Sequence, residues 1–157
     1  MYFLFALKFL HVIGATILLG TGAGIAFFLW AANQTGRAEV VAPVARIVVF
    51  ADFVFTATAV VLQPITGMLL AWRMGFSLSD PWIVLSIALY FLTGAFWIPV
   101  VFMQIRMCDL AVKAVRDGRE LPAEYHALFR RWFLFGFPAF GAVLLIFWLM
   151  IAKPAPF

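Results

Sequence analysis

Charged residues are scarce in this chain. Lys, Arg, Asp and Glu make up 11% of its 157 residues, and 66% of the residues are hydrophobic. A soluble domain usually has about a quarter of its residues charged, so this composition is typical of a membrane protein. Cysteine is scarcer still, because the chain contains only one, Cys108. A single cysteine excludes an internal disulfide bond and a metal cage built from several cysteines.

A basic face with interleaved aromatic residues is also missing. The net charge is +4, and the basic residues cluster near the ends of the apolar stretches, where they suit anionic lipid headgroups. We therefore predict the lipid bilayer as the partner and exclude nucleic acid. The sequence shows no nucleophile triad, paired catalytic carboxylates or phosphate-binding glycine loop, so it identifies no catalytic residue and leaves open whether the protein is an enzyme.

Long apolar stretches dominate what is present. A helix needs about 20 apolar residues to cross a hydrocarbon core of about 30 Å. This length predicts transmembrane helices over residues 3–30, 44–72, 81–107 and 131–152. The first stretch is longer than a signal-peptide core and has no cleavage site after it, so we expect it to be retained. The predicted fold is therefore all-α, a polytopic membrane protein of one domain (residues 1–157) whose four transmembrane helices form an up-and-down bundle.

Proline and short polar residues predict where two of the helices begin. Pro43 suits the first turn of the second helix, because a proline there loses no helical hydrogen bond. Ser79 or Asp80 suits the N-cap of the third helix, with Pro81 at its first helical position.

The longest connection, residues 108–130, is rich in charge. Asp109 and Lys113 lie four residues apart, which favours a helix that continues past the bilayer. Gly118 is a natural end for that helix, and Pro122 is a natural start for the next. We predict a cytoplasmic helical hairpin over this connection, and a solvated charged loop is the alternative.

The distribution of basic residues predicts the orientation in the membrane. The first and third connections and the adjoining helix ends carry Arg37, Arg46, Arg106, Lys113, Arg116, Arg119, Arg130 and Arg131. The opposite side carries mainly Arg73 and Lys153. Because cytoplasmic loops are enriched in Lys and Arg, the first and third connections are predicted to be cytoplasmic and both termini to lie outside.

Aromatic side chains lie near the ends of the predicted spans. They are Tyr2, Trp30, Trp72, Trp82, Trp132 and Trp148. Amphipathic aromatic rings favour the headgroup level, so this placement predicts an interfacial belt.

The second and third spans carry polar side chains at helical spacing. They are Asp52, Thr56, Gln63 and Thr66 in the second span and Tyr90, Thr93, Trp97 and Gln104 in the third. Lipid cannot satisfy such groups, so we predict that they face the interior of the bundle. At a rise of about 1.5 Å per residue, Gln63 and Tyr90 reach the depth of His11 and define an outer layer. Asp52, Trp97 and Gln104 define an inner layer nearer the cytoplasm.

Asp52 has two interpretations. It can form a structural ion pair with Arg46, Arg106 or Arg131 near the cytoplasmic boundary, which we favour, or it can relay protons.

His11 lies inside the first span. An ionisable side chain within a membrane is a candidate functional residue, and an imidazole can bind a metal or titrate near neutral pH. One interpretation is an axial ligand of haem, with Met68 as a conceivable sixth ligand and Lys8 and Arg73 close to the propionates. A copper site is less well supported, because Cu(I) prefers several Met or Cys ligands. The structural alternative is a neutral imidazole that is hydrogen-bonded to Gln63, Tyr90 or a backbone carbonyl and holds helices together.

Three segments give the chain a resemblance to known proteins: residues 7–14 (LKFLHVIG), 63–67 (QPITG) and 97–99 (WIP). Through them it resembles a bacterial family of predicted integral membrane proteins of unknown function. More distantly, the first span is similar to that of CopD-like copper-resistance proteins and HemJ-type protoporphyrinogen oxidases, which also place a histidine early in a first membrane helix. In the HemJ type that histidine binds haem with help from a lysine in a later helix, so the resemblance implies His11 as an axial ligand. The third span contains no lysine and departs from that pattern.

Two functions of different classes follow. The leading hypothesis is a small bacterial inner-membrane protein, with both termini periplasmic, that has a haem-type or metal-type redox role centred on His11. The alternative is a non-catalytic accessory, assembly or structural subunit that works as a homo-oligomer or with other membrane proteins. Transport of a solute or proton past Asp52 and His11 is a third hypothesis, and it requires an oligomer because four spans without internal repeats rarely form a transporter alone.

Overall fold

Four long helices make up the protein in a computed structural model that describes residues 2–154. We number them α1 (Tyr2–Gln34), α2 (Ala38–Met74), α3 (Pro81–Arg116) and α4 (Ala123–Ala152). Each is long and apolar enough to cross a membrane, and the described residues contain no strand. The predicted all-α, four-helix membrane fold is confirmed. The predicted domain also includes residues 1 and 155–157, which lie outside the described range.

The start of α2 differs from the prediction. The helix begins at Ala38, so Pro43 lies in its second turn rather than its first. The added turn buries Ala38, Val41 and Ala42 in the main hydrophobic core, and this burial favours helix beyond the point where the proline alone would start it. Asp80 stands at the N-cap of α3 with Pro81 first in the helix, although the Asp80 side chain makes no capping hydrogen bond.

α3 and α4 form a helical hairpin. Gly118 adopts a left-handed conformation (φ 61°) just after α3 ends, as its lack of a side chain allows. The exposed side chains of Arg106 and Glu124 join the two helices, with Nε 2.8 Å from Oε1 and Nη2 3.2 Å from Oε2. Residues 108–130 are therefore helical on both sides of a short turn, and their cytoplasmic location stays a prediction.

α2 changes partner along its length. Its first part, Ala38–Ala51, packs against α3 and α1, whereas its last part, Ala57–Met74, packs mainly against α1. Between them, Asp52–Thr56 form a π-helical turn, in which the Ala57 N–H donates to the Asp52 carbonyl five residues back. Such turns accommodate one extra residue in a helix and occur often at functional sites.

The tightest packing lies at the hairpin end of the bundle. Leu29, Val41, Met107 and Tyr125 are the largest fully buried side chains and belong to one core that all four helices share. By contrast, α1 and α4 make the least extensive contact among the helix pairs that pack together. The bundle is thus closed at one end and looser between α1 and α4.

The predicted aromatic belt is partly wrong. Tyr2, Trp30, Trp72 and Trp148 are exposed as the prediction requires. Trp82 and Trp132, however, are only 8% and 4% exposed. Each turns inward because a partner satisfies it there: the Trp82 ring meets Phe76 edge to face at 5.3 Å, and the Trp132 N–H reaches the Gln104 amide.

Candidate functional site

The His11 ring on α1 is tied to α2. Its Nδ1 atom lies 2.8 Å from Thr66 Oγ1, and that hydroxyl also lies 2.8 Å from the Leu62 carbonyl oxygen one turn back on α2. A hydroxyl carries one hydrogen, so when it donates to the carbonyl, Nδ1–H must be the donor to Thr66. This assignment satisfies both contacts, and it leaves the lone pair of His11 Nε2 without a partner in α2.

The backbone around His11 is also part of the contact. Gln63 Nε2 donates to the His11 carbonyl oxygen at 3.0 Å. A Cβ atom added to Gly67 would lie 3.2 Å from His11 Cε1, and one added to Gly14 would collide with Gln63 Nε2. The two glycines therefore allow α1 and α2 to approach closely, so that α2 meets His11 with three of its residues within little more than one turn.

The other residues predicted to hold a cofactor lie on the surface near the outer ends of α1 and α2. Lys8 is exposed on α1, one turn before His11. The Arg73 guanidinium lies 5.2 Å from the Phe3 ring centroid and 5.0 Å from that of Trp72. Met68 is 56% exposed. It follows Gly67 in the sequence, so its side chain projects from α2 about 100° around the helix axis from Gly67, which contacts His11. The structure therefore does not group Met68 with Thr66 and Gly67.

Metal ligands are few around His11. Among the described residues, no group of three or more His, Cys, Asp or Glu side chains is placed to hold a metal ion. A single imidazole with an oriented ring suits a cofactor that brings its own ligands, such as a porphyrin, better than a bare ion.

Asp52 and the inner layer form a second polar cluster. Asp52 is 4% exposed at the start of the π turn, and its Oδ1 atom accepts from Trp97 Nε1 at 3.3 Å. With its amide oriented to suit its neighbours, Gln104 donates to Asp52 Oδ2 at 3.3 Å and accepts from Trp132 Nε1 at 3.1 Å. None of the ion pairs among residues 2–154 involves Asp52. The favoured prediction of an ion pair with an arginine is therefore wrong, because indole and amide donors from α3 occupy the carboxylate oxygens.

Tyr90 and Thr93 on α3 bind backbone carbonyls rather than His11. The Tyr90 hydroxyl donates to the Val60 carbonyl of α2 at 3.0 Å, and the Thr93 hydroxyl donates to Leu89 in its own helix at 2.8 Å. The Thr56 hydroxyl is buried and has no hydrogen-bond partner within residues 2–154.

A cavity of about 450 Å³ lies between the four helices beside the Asp52 cluster. Asp52, Thr56, Trp97 and Gln104 form its polar part, and its remaining walls are almost entirely apolar. Sequence reasoning missed most contributions of α4, namely Trp132, Phe133, Phe137, Ala139, Phe140 and Val143. Their segment is uniformly apolar, so no polar periodicity marks the face that turns inward.

Comparison with known proteins agrees with the membrane fold. No curated protein and no solved structure matches the chain. One family model does match, and it covers residues 5–154, which is almost all of the sequence and includes both polar clusters. The chain belongs to the family described as predicted integral membrane protein (DUF2269).

Proposed function

We propose that this protein is a small bacterial inner-membrane protein in which His11 binds haem, or a metal ion, in a redox role. Both termini lie in the periplasm, which follows from the excess of Lys and Arg at the opposite ends of the helices. The observation that carries the proposal is the hydrogen-bond chain from His11 Nδ1 through Thr66 to the Leu62 carbonyl.

That chain resembles the support that proteins give to a metal-binding histidine. A ligating imidazole usually donates its other N–H to an oxygen, which fixes the tautomer and the ring orientation. Thr66 plays this part for His11 at 2.8 Å, and Gln63 fixes the backbone of the same residue at 3.0 Å. His11 Nε2 would then be the ligand atom.

Cationic side chains near His11 suit the acidic edge of a haem. Lys8 stands one turn away on α1, and Arg73 stands near the outer end of α2, where each can pair with a carboxylate. Met68 is a proposed second ligand of the haem iron. Its side chain lies on another face of α2 than the residues that contact His11, so His11 alone is the better supported ligand. When bound, haem would supply one-electron chemistry at its iron.

The first span also suggests a distant resemblance to CopD-like and HemJ-type proteins, and as part of the proposal this resemblance favours the same ligand. Those families place a histidine early in the first membrane helix, as this chain places His11. The absence of lysine from residues 81–107 argues against porphyrinogen oxidation, so we propose haem or metal binding without that reaction.

A reduced-minus-oxidised absorption spectrum tests the proposal. Protein purified in mild detergent from haem-replete cells is expected to show a Soret band and a sharp α band, with nearly stoichiometric iron. His11→Ala should lose both, and Thr66→Val should keep the bands but shift the redox potential. Thr16→Val is the matched control, because Thr16 is exposed and bonds only to Val12 in its own helix. A featureless wild-type spectrum in protein without metal contradicts the proposal.

The same contacts favour a second candidate function, a non-catalytic accessory, assembly or structural subunit. Here His11, Gln63 and Thr66 join α1 to α2 and carry no ligand. The apolar exterior would then contact a second copy or another membrane protein. His11→Ala would lower the unfolding temperature of a protein that never carried a chromophore, and native mass spectrometry would show a complex.

A further inference from the structure

The cavity beside Asp52 opens toward lipid between α1 and α4. Phe27 on α1 and Phe137 and Phe140 on α4 line the cavity and are also exposed on the surface. These two helices make the least extensive contact among the packed pairs. A membrane-dissolved molecule can therefore reach the cavity sideways, from the hydrocarbon core, without crossing the hairpin end of the bundle.

The inner end of the cavity is rich in hydrogen-bond acceptors and short of positive charge. The two hydrogen bonds to the Asp52 carboxylate are both 3.3 Å long, whereas charge-assisted bonds to a carboxylate are typically about 2.7–2.9 Å. The buried Thr56 hydroxyl lies one turn further along α2, close to the Asp52 carboxylate, and makes no hydrogen bond of good geometry within residues 2–154. Keeping a buried carboxylate ionised without a cation is costly, and a ligand that supplies the cation offsets that cost.

We propose that this cavity binds a lipophilic amine whose ammonium group pairs with Asp52 and donates to Thr56. Its apolar body lies among the aromatic side chains that line the outer part of the cavity. The Trp97 indole N–H donates to the Asp52 carboxylate and so orients it at the charged end of the cavity. An anionic headgroup is disfavoured, because an ionised Asp52 would repel it.

The size of the cavity fits this class of ligand. Pockets for drug-sized molecules usually measure about 300–1,000 Å³ and have mostly apolar walls with a few placed polar groups. The cavity of about 450 Å³ has that composition. The proposal rests on Asp52 and its neighbours and not on His11, which does not line the cavity, so it holds or fails independently of haem binding.

Energy transfer from tryptophan tests the proposal. The probe is anthracenylmethylammonium, whose absorption overlaps tryptophan emission, and anthracenylmethanol is its neutral match. Titrated into the full-length protein in mild detergent, the amine should give saturable energy transfer and the alcohol should bind at least about tenfold more weakly. Asp52→Asn should raise the dissociation constant of the amine at least about tenfold. Equal affinity for amine and alcohol overturns the proposal, as does saturable binding that Asp52→Asn leaves unchanged.

Two glycine substitutions separate loss of the site from loss of the fold. Gly136 lines the cavity and Gly141 does not, and a Cβ atom added to either would meet nothing within 4 Å. Gly136→Leu should fill the cavity and abolish saturable amine binding, while Gly141→Leu should bind like the wild type. Both variants should keep the helical circular dichroism spectrum. Undiminished binding by Gly136→Leu, or an absence of saturable binding in the wild type, contradicts the proposal.

Discussion

Pro64 and Tyr90 act on the same backbone carbonyl from two helices. Pro64 has no N–H, so α2 cannot supply the usual donor to the Val60 oxygen four residues back. The Tyr90 hydroxyl of α3 lies 3.0 Å from that oxygen and donates in its place. The outer parts of α2 and α3, which otherwise meet in a small cluster around Ala71 and Trp82, are joined at the site where the proline left an acceptor open.

Removing the Tyr90 hydroxyl should therefore destabilise the protein, and Pro64 should determine by how much. We expect Tyr90→Phe to lower the free energy of unfolding by about 1 kcal/mol, because a partly buried carbonyl loses its donor. In a Pro64→Ala background, where residue 64 regains its N–H, the same change should cost less. A double-mutant cycle measured by denaturant unfolding in detergent gives the coupling, and a coupling of zero contradicts the shared-carbonyl model.

Adding a methyl group at Gly67 should disturb the His11 contact. The new Cβ would lie 3.2 Å from His11 Cε1, so either the ring or α2 must shift. We expect Gly67→Ala to be destabilising by about 1 kcal/mol despite the better helix propensity of alanine.

Gly20 supplies the matched control for Gly67. It lies in α1, and an added Cβ would meet nothing within 4 Å. Gly20→Ala should be neutral or stabilising by up to about 1 kcal/mol. The unfolding temperature should fall for Gly67→Ala and stay the same or rise for Gly20→Ala, and equal shifts would show that helix propensity alone decides both.

The indole of Trp132 should contribute to stability through Gln104. Its Nε1 atom lies 3.1 Å from the Gln104 amide oxygen, which links it to Asp52. We expect Trp132→Phe to lower the free energy of unfolding by about 1–3 kcal/mol, because the buried amide loses a donor and the core loses volume. Trp148→Phe is the control, since Trp148 is 55% exposed, and it should change stability by less than about 0.5 kcal/mol.

The orientation in the membrane can be tested with reporter fusions. Alkaline phosphatase joined after Phe157 should be active and a green fluorescent protein at the same place dark, because the C-terminus is predicted to be periplasmic. Fusions after Gly118 should give the reverse result. The opposite pattern would invert the topology and place His11 nearer the cytoplasm.

The helices were predicted well, because hydrophobic length and helix-end signals each depend only on residues that are neighbours in the sequence. The four apolar stretches gave the four spans, and Pro81 and Gly118 lie where proline and glycine usually begin and end helices. Burial moved one boundary, since Ala38 and Val41 extend α2 ahead of Pro43.

For contacts between helices, the sequence predicted the depth of each polar residue in the membrane but not which side chains would pair. The rise per residue placed Asp52 and Trp97 in one layer, and they do form a hydrogen bond across 45 residues of sequence. Depth alone could not choose between the polar groups of the outer layer, where Thr66 rather than Gln63 or Tyr90 binds the His11 ring. It also could not show that Trp132 turns inward, because a tryptophan near a span end satisfies its N–H equally well in the headgroup region or against a buried amide.

The π turn at Asp52–Thr56 sets the angular phase between the two parts of α2. One residue more or less in a helix rotates everything beyond it by about 100°. With the extra residue, Asp52 faces Trp97 on α3 while Thr66 faces His11 on α1. The two parts of α2 therefore direct their polar side chains toward two different helices. Deleting one residue from residues 53–55 would keep one polar cluster aligned and turn the residues of the other about 100° away from their partner helix. The π turn therefore keeps both clusters aligned with their partner helices.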